Sequence, residues 1–159
     1  MSELTQITKR LADFDVAFVI AGGLATILHG SALMTRDVDV ACEMTPENLL
    51  RVWQALDGLN PVHRMSSARP PFTREQATGI QWKNLYLSTD MGQLDLLGEI
   101  TGIGDYNSCK ANSEKIVMDS NIIQVLTIDA LISAKRALGR PKDLHAVLEL
   151  EVIRARRQQ

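Results

Sequence analysis

Arg36-Asp37-Val38-Asp39-Val40-Ala41-Cys42 alternates side-chain character residue by residue, and this alternation decides the fold class. Successive side chains of a β-strand point to opposite faces. Asp37, Asp39 and Ala41 therefore share one side, and Val38, Val40 and Cys42 the other. Two like charges on one face repel each other, and neither is buried cheaply. A strand backed by valines is predicted to lie inside a sheet, which leaves its acids in need of a cation. Magnesium, which prefers carboxylate oxygens together with substrate phosphates, is the natural one. The competing reading is an exposed face carrying two solvated acids.

Upstream, Val16 to Ile20 is a short apolar run that ends at Gly22-Gly23, which predicts an interior strand and a turn, and Leu24 to His29 has helical character before Gly30. Val16 to Thr35 carries no Asp, Glu, Lys or Arg and has the length of a membrane span. Gly22, Gly23, Thr26, His29, Gly30 and Ser31 interrupt it, so it reads as a buried strand followed by a buried helix. Leu4, Ile7, Thr8 and Leu11 space an opening helix over residues 3–13. No basic segment precedes an apolar stretch at the N-terminus, which predicts no secretory leader and a cytoplasmic protein.

Downstream, Thr45-Pro46-Glu47 is a helix start, with a hydroxyl cap, a first-turn proline and an acid at the positive end of the dipole. Leu49, Val52, Trp53 and Leu56 supply its buried stripe, and Gly58 ends it. Residues 60–80 show no period and predict a long loop with room for one helical turn. Trp82–Leu87 and Gln93–Leu97 are predicted strands joined through Asp90-Met91-Gly92, followed by a glycine-rich stretch over 98–107. A second hairpin is predicted over 114–126 about Asp119-Ser120-Asn121. Two helices, 128–138 and 141–154, flank Gly139-Arg140. With no internal repeat or linker, the chain reads as one α+β domain over residues 1–159 with a mixed sheet.

Composition sets the outer bounds. Of 159 residues, 45% are apolar and 23% charged, which excludes a disordered chain. A net charge of -2 excludes a global basic field, so any nucleic-acid contact needs a local patch. Cys42 and Cys109 have neither the number nor the spacing of a disulfide framework or a zinc site.

Three features add chemistry to the Asp-Val-Asp strand. Gly22-Gly23 lies between a strand and a helix, where backbone amides can approach phosphate oxygens, although such a pair is commonly just a tight turn. It has no third glycine and no Walker lysine, so neither a dinucleotide fingerprint nor a P-loop is supported. Asp95 sits mid-strand in Gln93-Leu94-Asp95-Leu96-Leu97, with Gln93 and Asp95 on one face and the leucines on the other. Three carboxylates on neighbouring strands suit a two-metal phosphoryl-transfer centre. Lys135 lies at the margin of the stripe set by Ile128, Leu131 and Ile132, where its stem can pack while its ammonium reaches an anion, or simply snorkels to solvent. Asp143, after Pro141, sits where an acid complements the helix dipole.

The cationic candidates for substrate are Arg36, beside the acids, and Arg69 and Arg74, in an irregular segment that also holds His63 and Arg64 against the single acid Glu75. That segment is either a phosphate- or acceptor-binding flap or a solvated loop. Arg154, Arg156 and Arg157 form a terminal basic tail. Trp82 and Tyr86 share a strand face, as core residues or as a stacking platform.

Gly22-Gly23 at a strand-to-helix turn, 13 residues, Asp37-Val38-Asp39 on the next strand and a lone Asp95 on a later one together resemble the nucleotidyltransferase superfamily built on a polymerase-beta-like core. The run from Leu131 to Leu144, with Lys135 on a helix before Gly139-Arg140-Pro141-Lys142-Asp143, and the Thr35-Arg36-Asp37-Val38-Asp39 form resemble its AbiEii-type toxin branch. The resemblance implies a minimal nucleotidyltransferase fold, a mixed β-sheet flanked by helices with two C-terminal helices. It implies Mg2+-dependent transfer of a nucleotide monophosphate from a nucleoside triphosphate to RNA, tRNA included, or to a protein, in a toxin–antitoxin or defence system with a cognate antitoxin. Asp37, Asp39 and Asp95 would hold two Mg2+ ions, Lys135 would neutralise charge on the transferring group, and Asp143 would partner Lys135. The family often has Gly-Ser at the turn. Leu24 stands there instead, so triphosphate contact would rest on backbone amides at Gly22 and Gly23 and on cationic side chains. Two other expectations compete: a non-catalytic binding or regulatory module on the same fold, and a nuclease using the same acids.

Overall fold

Nine strands and seven helices account for the regular structure of residues 2–159, which the computed structural model describes. In chain order they are α1 (Glu3–Asp13), β1 (Phe18–Ala21), α2 (Gly22–Leu28), β2 (Asp37–Cys42), α3 (Pro46–Ala55), β3 (Val62–His63), α4 (Arg74–Gly79) and β4 (Asn84–Thr89). There follow β5 (Gly92–Leu97), β6 (Glu99–Ile100), β7 (Gly104–Asp105), α5 (Tyr106–Ala111), β8 (Ser113–Met118), β9 (Asn121–Leu126), α6 (Ile128–Leu138) and α7 (Pro141–Arg157).

The apolar runs lie where burial on both faces demands, in the middle. Seven strands form one sheet in the order β3-β4-β5-β2-β1-β9-β8, with β1–β9 and β2–β5 parallel and the other pairs antiparallel. The fold is α+β with a mixed sheet and two C-terminal helices, as the sequence predicts. β1 and β2 are interior, and Val19, Ile20, Val38 and Val40 are fully buried. The valine face of β2 carries α3: Asn48 of that helix reaches the Cys42 thiol, and its amide satisfies the backbone of Ala17 and Glu43. The acid face opens toward α6.

Local chemistry sets the ends of the elements. Thr45 caps α3 by accepting the Asn48 amide, with Pro46 in the first turn. Asp119 and Ser120 both have positive φ, the requirement of a tight two-residue hairpin between β8 and β9. Gly139, at φ 66°, closes α6 in the left-handed conformation.

Several boundaries differ from the predicted ones. β1 begins two residues later and ends one residue later than the apolar run suggests, and α2 begins at Gly22, so the glycine pair is the first turn of the helix rather than a loop before it. The 60–80 segment contains β3 and a six-residue helix, α4, closed by a reciprocal Thr73–Gln76 cap. The glycine-rich stretch folds as the small β6–β7 hairpin followed by α5. Trp82 lies before β4 rather than in it; it stacks on His63 with ring centroids 5.4 Å apart and donates its indole N–H to the Gln76 carbonyl. Cys42 and Cys109 are unpaired and buried, and burial pushes the Cys42 thiol up to about 12 and that of Cys109 to about 11. At such values both remain inert thiols. Among the described residues, no helix is long and apolar enough to cross a membrane.

Candidate functional site

The parallel pairing of β2 with β5 sets Asp39 directly beside Asp95 and Asp37 beside Gln93. Because alternate residues share a face, the three acids project from the same side of the sheet. Leu94 and Leu96 fill the opposite face and are fully buried, which fixes the register: a one-residue slip would bury the acids and expose the leucines.

Burial and this crowding act together on Asp39. Burial, followed by the charges of Asp95 and Asp37, pushes its carboxyl up to about 6, with Lys135 pulling in the other direction. Asp95 is only 8% exposed and has its own counter-cation. Arg64, one residue beyond β3, forms a forked pair with it, Nη1 to Oδ1 and Nη2 to Oδ2, the latter at 3.0 Å. The guanidinium lies over the Tyr86 ring, 5.4 Å from its centroid.

The facing wall comes from the α6–α7 corner. Asp143 is 1% exposed. It accepts the Arg140 Nε at 2.5 Å, Nη2 at 3.2 Å and backbone N–H at 3.3 Å. Lys135 Nζ stands 3.7 Å from its Oδ1. Arg140, with help from Lys135, holds the Asp143 carboxyl below its ordinary value. The buried acid thus ties the lysine of one helix to the start of the next.

Gly22 closes the floor. It has φ 60°, and a Cβ on it would lie inside van der Waals contact of Asp39 Oδ2. A Cβ on Gly23 would meet the Thr35 hydroxyl at 2.8 Å. The space these glycines leave is filled by the chain's own Asp39 and Thr35.

Two cavities meet at Asp39, Lys135 and Arg140. One, about 320 Å³, is walled by Leu97, Ile100, Leu126, Leu131 and Ala134, with Asn84, Tyr86, Glu99 and Thr101 as polar groups. The other, about 450 Å³, is bordered by Gly23, Thr35, Asp37, Lys142, Asp143 and His145. A largely apolar compartment next to one of balanced charge, where Lys135, Arg140 and Lys142 face Asp37, Asp39 and Asp143, suits a ligand with an organic part and an anionic part that arrives with a cation.

Of the residues singled out in the sequence, Asp37, Asp39, Lys135, Asp143, Gly22 and Gly23 border the two cavities, and Asp95 lies behind them as the register neighbour of Asp39 without lining either cavity. Arg36, Arg69 and Arg74 do not: all three are exposed and border neither cavity. Arg69 sits at φ 45° in a tight turn and Arg74 opens α4, so the segment's backbone turns both away. The arginine it delivers is Arg64. Arg140 is the second residue not singled out, although it stands within the Gly139–Asp143 run. In the terminal basic tail Arg154 pairs with Asp129 at 2.8 Å and Arg157 lies 3.7 Å from Glu114.

Among the described residues, no three His, Cys, Asp or Glu side chains converge as a ready metal cage. The donor set nevertheless fits a hard divalent ion in part. Asp37 and Asp39 offer carboxylate oxygens, and among the described residues neither belongs to an ion pair. The oxygens of Asp95 are engaged by Arg64. The chain matches no protein-family model and no curated protein.

Proposed function

We propose that this chain is a metal-dependent nucleotidyltransferase that moves a nucleotide monophosphate from a nucleoside triphosphate to an RNA, tRNA included, or a protein acceptor, within a toxin–antitoxin or defence setting. The observation that carries the reading is the in-register pair Asp39–Asp95, with Asp37 on the same face, where two cavities meet before Lys135 and Arg140. The nucleotidyltransferase resemblance of these residues supplies the reaction class.

Asp37 and Asp39 would hold Mg2+, which when bound supplies charge neutralisation on the phosphates. Asp95 would complete the metal site and help to take the proton from the acceptor hydroxyl. Lys135, steered by Asp143, would counter charge developing on the transferring group. The apolar compartment would take the nucleoside, and Lys135, Arg140 and Lys142 in the other would face the phosphates once Mg2+ offsets Asp37 and Asp39. With no covalent intermediate to form, the chain's contribution is positioning and electrostatics.

The test is incubation with each labelled triphosphate, Mg2+ and whole-cell extract. Label should pass to RNA or protein and disappear in Asp39→Asn; label that persists undiminished removes Asp39 from the mechanism. The Arg64–Asp95 pair favours a second reading, a binding module on the same scaffold that makes no use of the third acid. Calorimetry separates the two, because the enzyme takes up Mg2+ and triphosphate together and the module does not.

A further inference from the structure

Arg64 crosses β4 to reach Asp95, and the crossing is specific. Tyr86, over which the guanidinium lies, is the residue opposite Asp95 in the β4–β5 pairing. The Arg64 backbone N–H also donates to the Tyr86 carbonyl at 3.1 Å. The side chain is only 17% exposed, so the pair is shielded from solvent. Among the described residues, neither Asp37 nor Asp39 belongs to any ion pair. One acid of the three is therefore neutralised from within and two are not.

We propose that Arg64 is a positioning residue that keeps the place of a divalent cation at Asp95 and yields it when an anionic substrate draws the guanidinium away. This rests on the reading of the site as a metal and triphosphate centre. With Nη1 and Nη2 hydrogen-bonded to both carboxylate oxygens, Asp95 has little capacity left for a metal, and a doubly charged ion would also meet the repulsion of the guanidinium. Arg64 lines neither cavity, but its partner Asp95 is the register neighbour of Asp39, which lines both; because arginine's planar fork matches phosphate as well as it matches carboxylate, a triphosphate held at Asp39 competes for the guanidinium. The segment after it gives room to move: Met65 to Arg69 are exposed turn and bend residues. The consequence is ordered assembly, in which metal alone binds weakly and metal with triphosphate binds well. If the pair is closed in nine of ten molecules, the apparent metal affinity of the substrate-free protein is lowered about tenfold.

Mn2+ titration followed by electron paramagnetic resonance tests this without reference to turnover. Arg64→Gln should bind Mn2+ in the absence of nucleotide about tenfold more tightly than the wild type. Arg64→Lys should lie between them, and Asp95→Asn in the Arg64→Gln background should cancel the gain. Wild-type protein should reach a similar affinity once a non-hydrolysable triphosphate is added. Equal Mn2+ affinity in Arg64→Gln and wild type, when the wild type does bind Mn2+ with triphosphate, overturns the role of Arg64 and leaves the enzyme reading standing. Failure of the wild type to bind Mn2+ even with triphosphate overturns the enzyme reading itself. Should Arg64→Gln not fold, the Arg64 guanidinium nitrogens of the wild type serve instead. Their resonances should shift when Mg2+ and triphosphate are added together, and unchanged resonances at saturation overturn the proposal.

Discussion

Asp39 faces Asp95 across the β2–β5 pairing and has Asp37 two residues away on its own strand face. Its carboxyl is raised from 3.8 to about 6, chiefly by burial and then by those neighbours. The sign of the consequence follows from linkage. Between about pH 4 and 6 the folded protein still holds a proton that the unfolded chain has released, so this group's contribution to stability falls as pH rises through that window. Above it the full penalty applies, roughly 3 kcal/mol for a shift of this size. Asp143 works in the opposite sense: its lowered carboxyl contributes stability above the ordinary carboxylate range and loses it as pH falls. Asp39→Asn should therefore be about as stable as wild type near pH 4 and about 1–3 kcal/mol more stable at pH 7.5 without metal. Urea unfolding across that range measures the difference. A variant less stable than wild type at pH 7.5 would mean that the Asp39 carboxylate is a structural partner rather than an uncompensated charge.

The α6–α7 corner joins the lysine to the rest of the site, and its two charged residues have different structural weight. Asp143 is buried and accepts three bonds from Arg140, whereas Lys135 is a fifth exposed and stands 3.7 Å away. Asp143→Ala removes the buried acceptor of three bonds from Arg140, whose own side chain is half exposed, and costs about 1–3 kcal/mol. Lys135→Ala removes only a partly solvated partner, about 1 kcal/mol or less, but should abolish label transfer. Equal destabilisation by the two would place Lys135 in the scaffold. Sequence and structure agree most closely at this corner, and the reason is physical. Helices of 11 to 17 residues carry several turns of apolar period, and Gly139 and Pro141 punctuate them. β2, β5 and the β8–β9 hairpin were equally legible, because six residues are enough for alternation to show. β3, β6 and β7 have two residues each and no period at all; they exist through pairing with partners elsewhere in the chain. Arg64 was hidden for the same reason. Its direction is set by β3 lying against β4, a relation no local pattern records, so the exposed Arg69 and Arg74 looked equally eligible. The acids were legible because like charges on one strand face need an explanation wherever the strand goes.

At the level of the whole molecule the site is a seam. β2 and β5 lie in the middle of the seven-stranded sheet and supply the acids, while α6 and α7 pack on each other beside them and supply Lys135 and Arg140. A ligand spanning both cavities would touch the central strands and the C-terminal helices at once, so its binding energy would oppose global unfolding rather than stiffen one loop. Neither component should do this alone: Mg2+ meets Asp95 already engaged by Arg64, and triphosphate without metal meets Asp37 and Asp39 as bare negative charge. Mg2+ and triphosphate together, at about one hundred times their joint dissociation constant, should add about 2.7 kcal/mol. For a chain of this size that corresponds to a rise in melting temperature of about 5–10 °C. Either component alone should give a small fraction of it, and Asp39→Asn, more stable at the outset, should show almost no further rise with both. A thermal-shift matrix of the two ligands against the two proteins reads all of these at once. Simple addition of the separate shifts would mean that metal and triphosphate occupy unrelated places, and the seam would then be a gap between sheet and helices rather than a site.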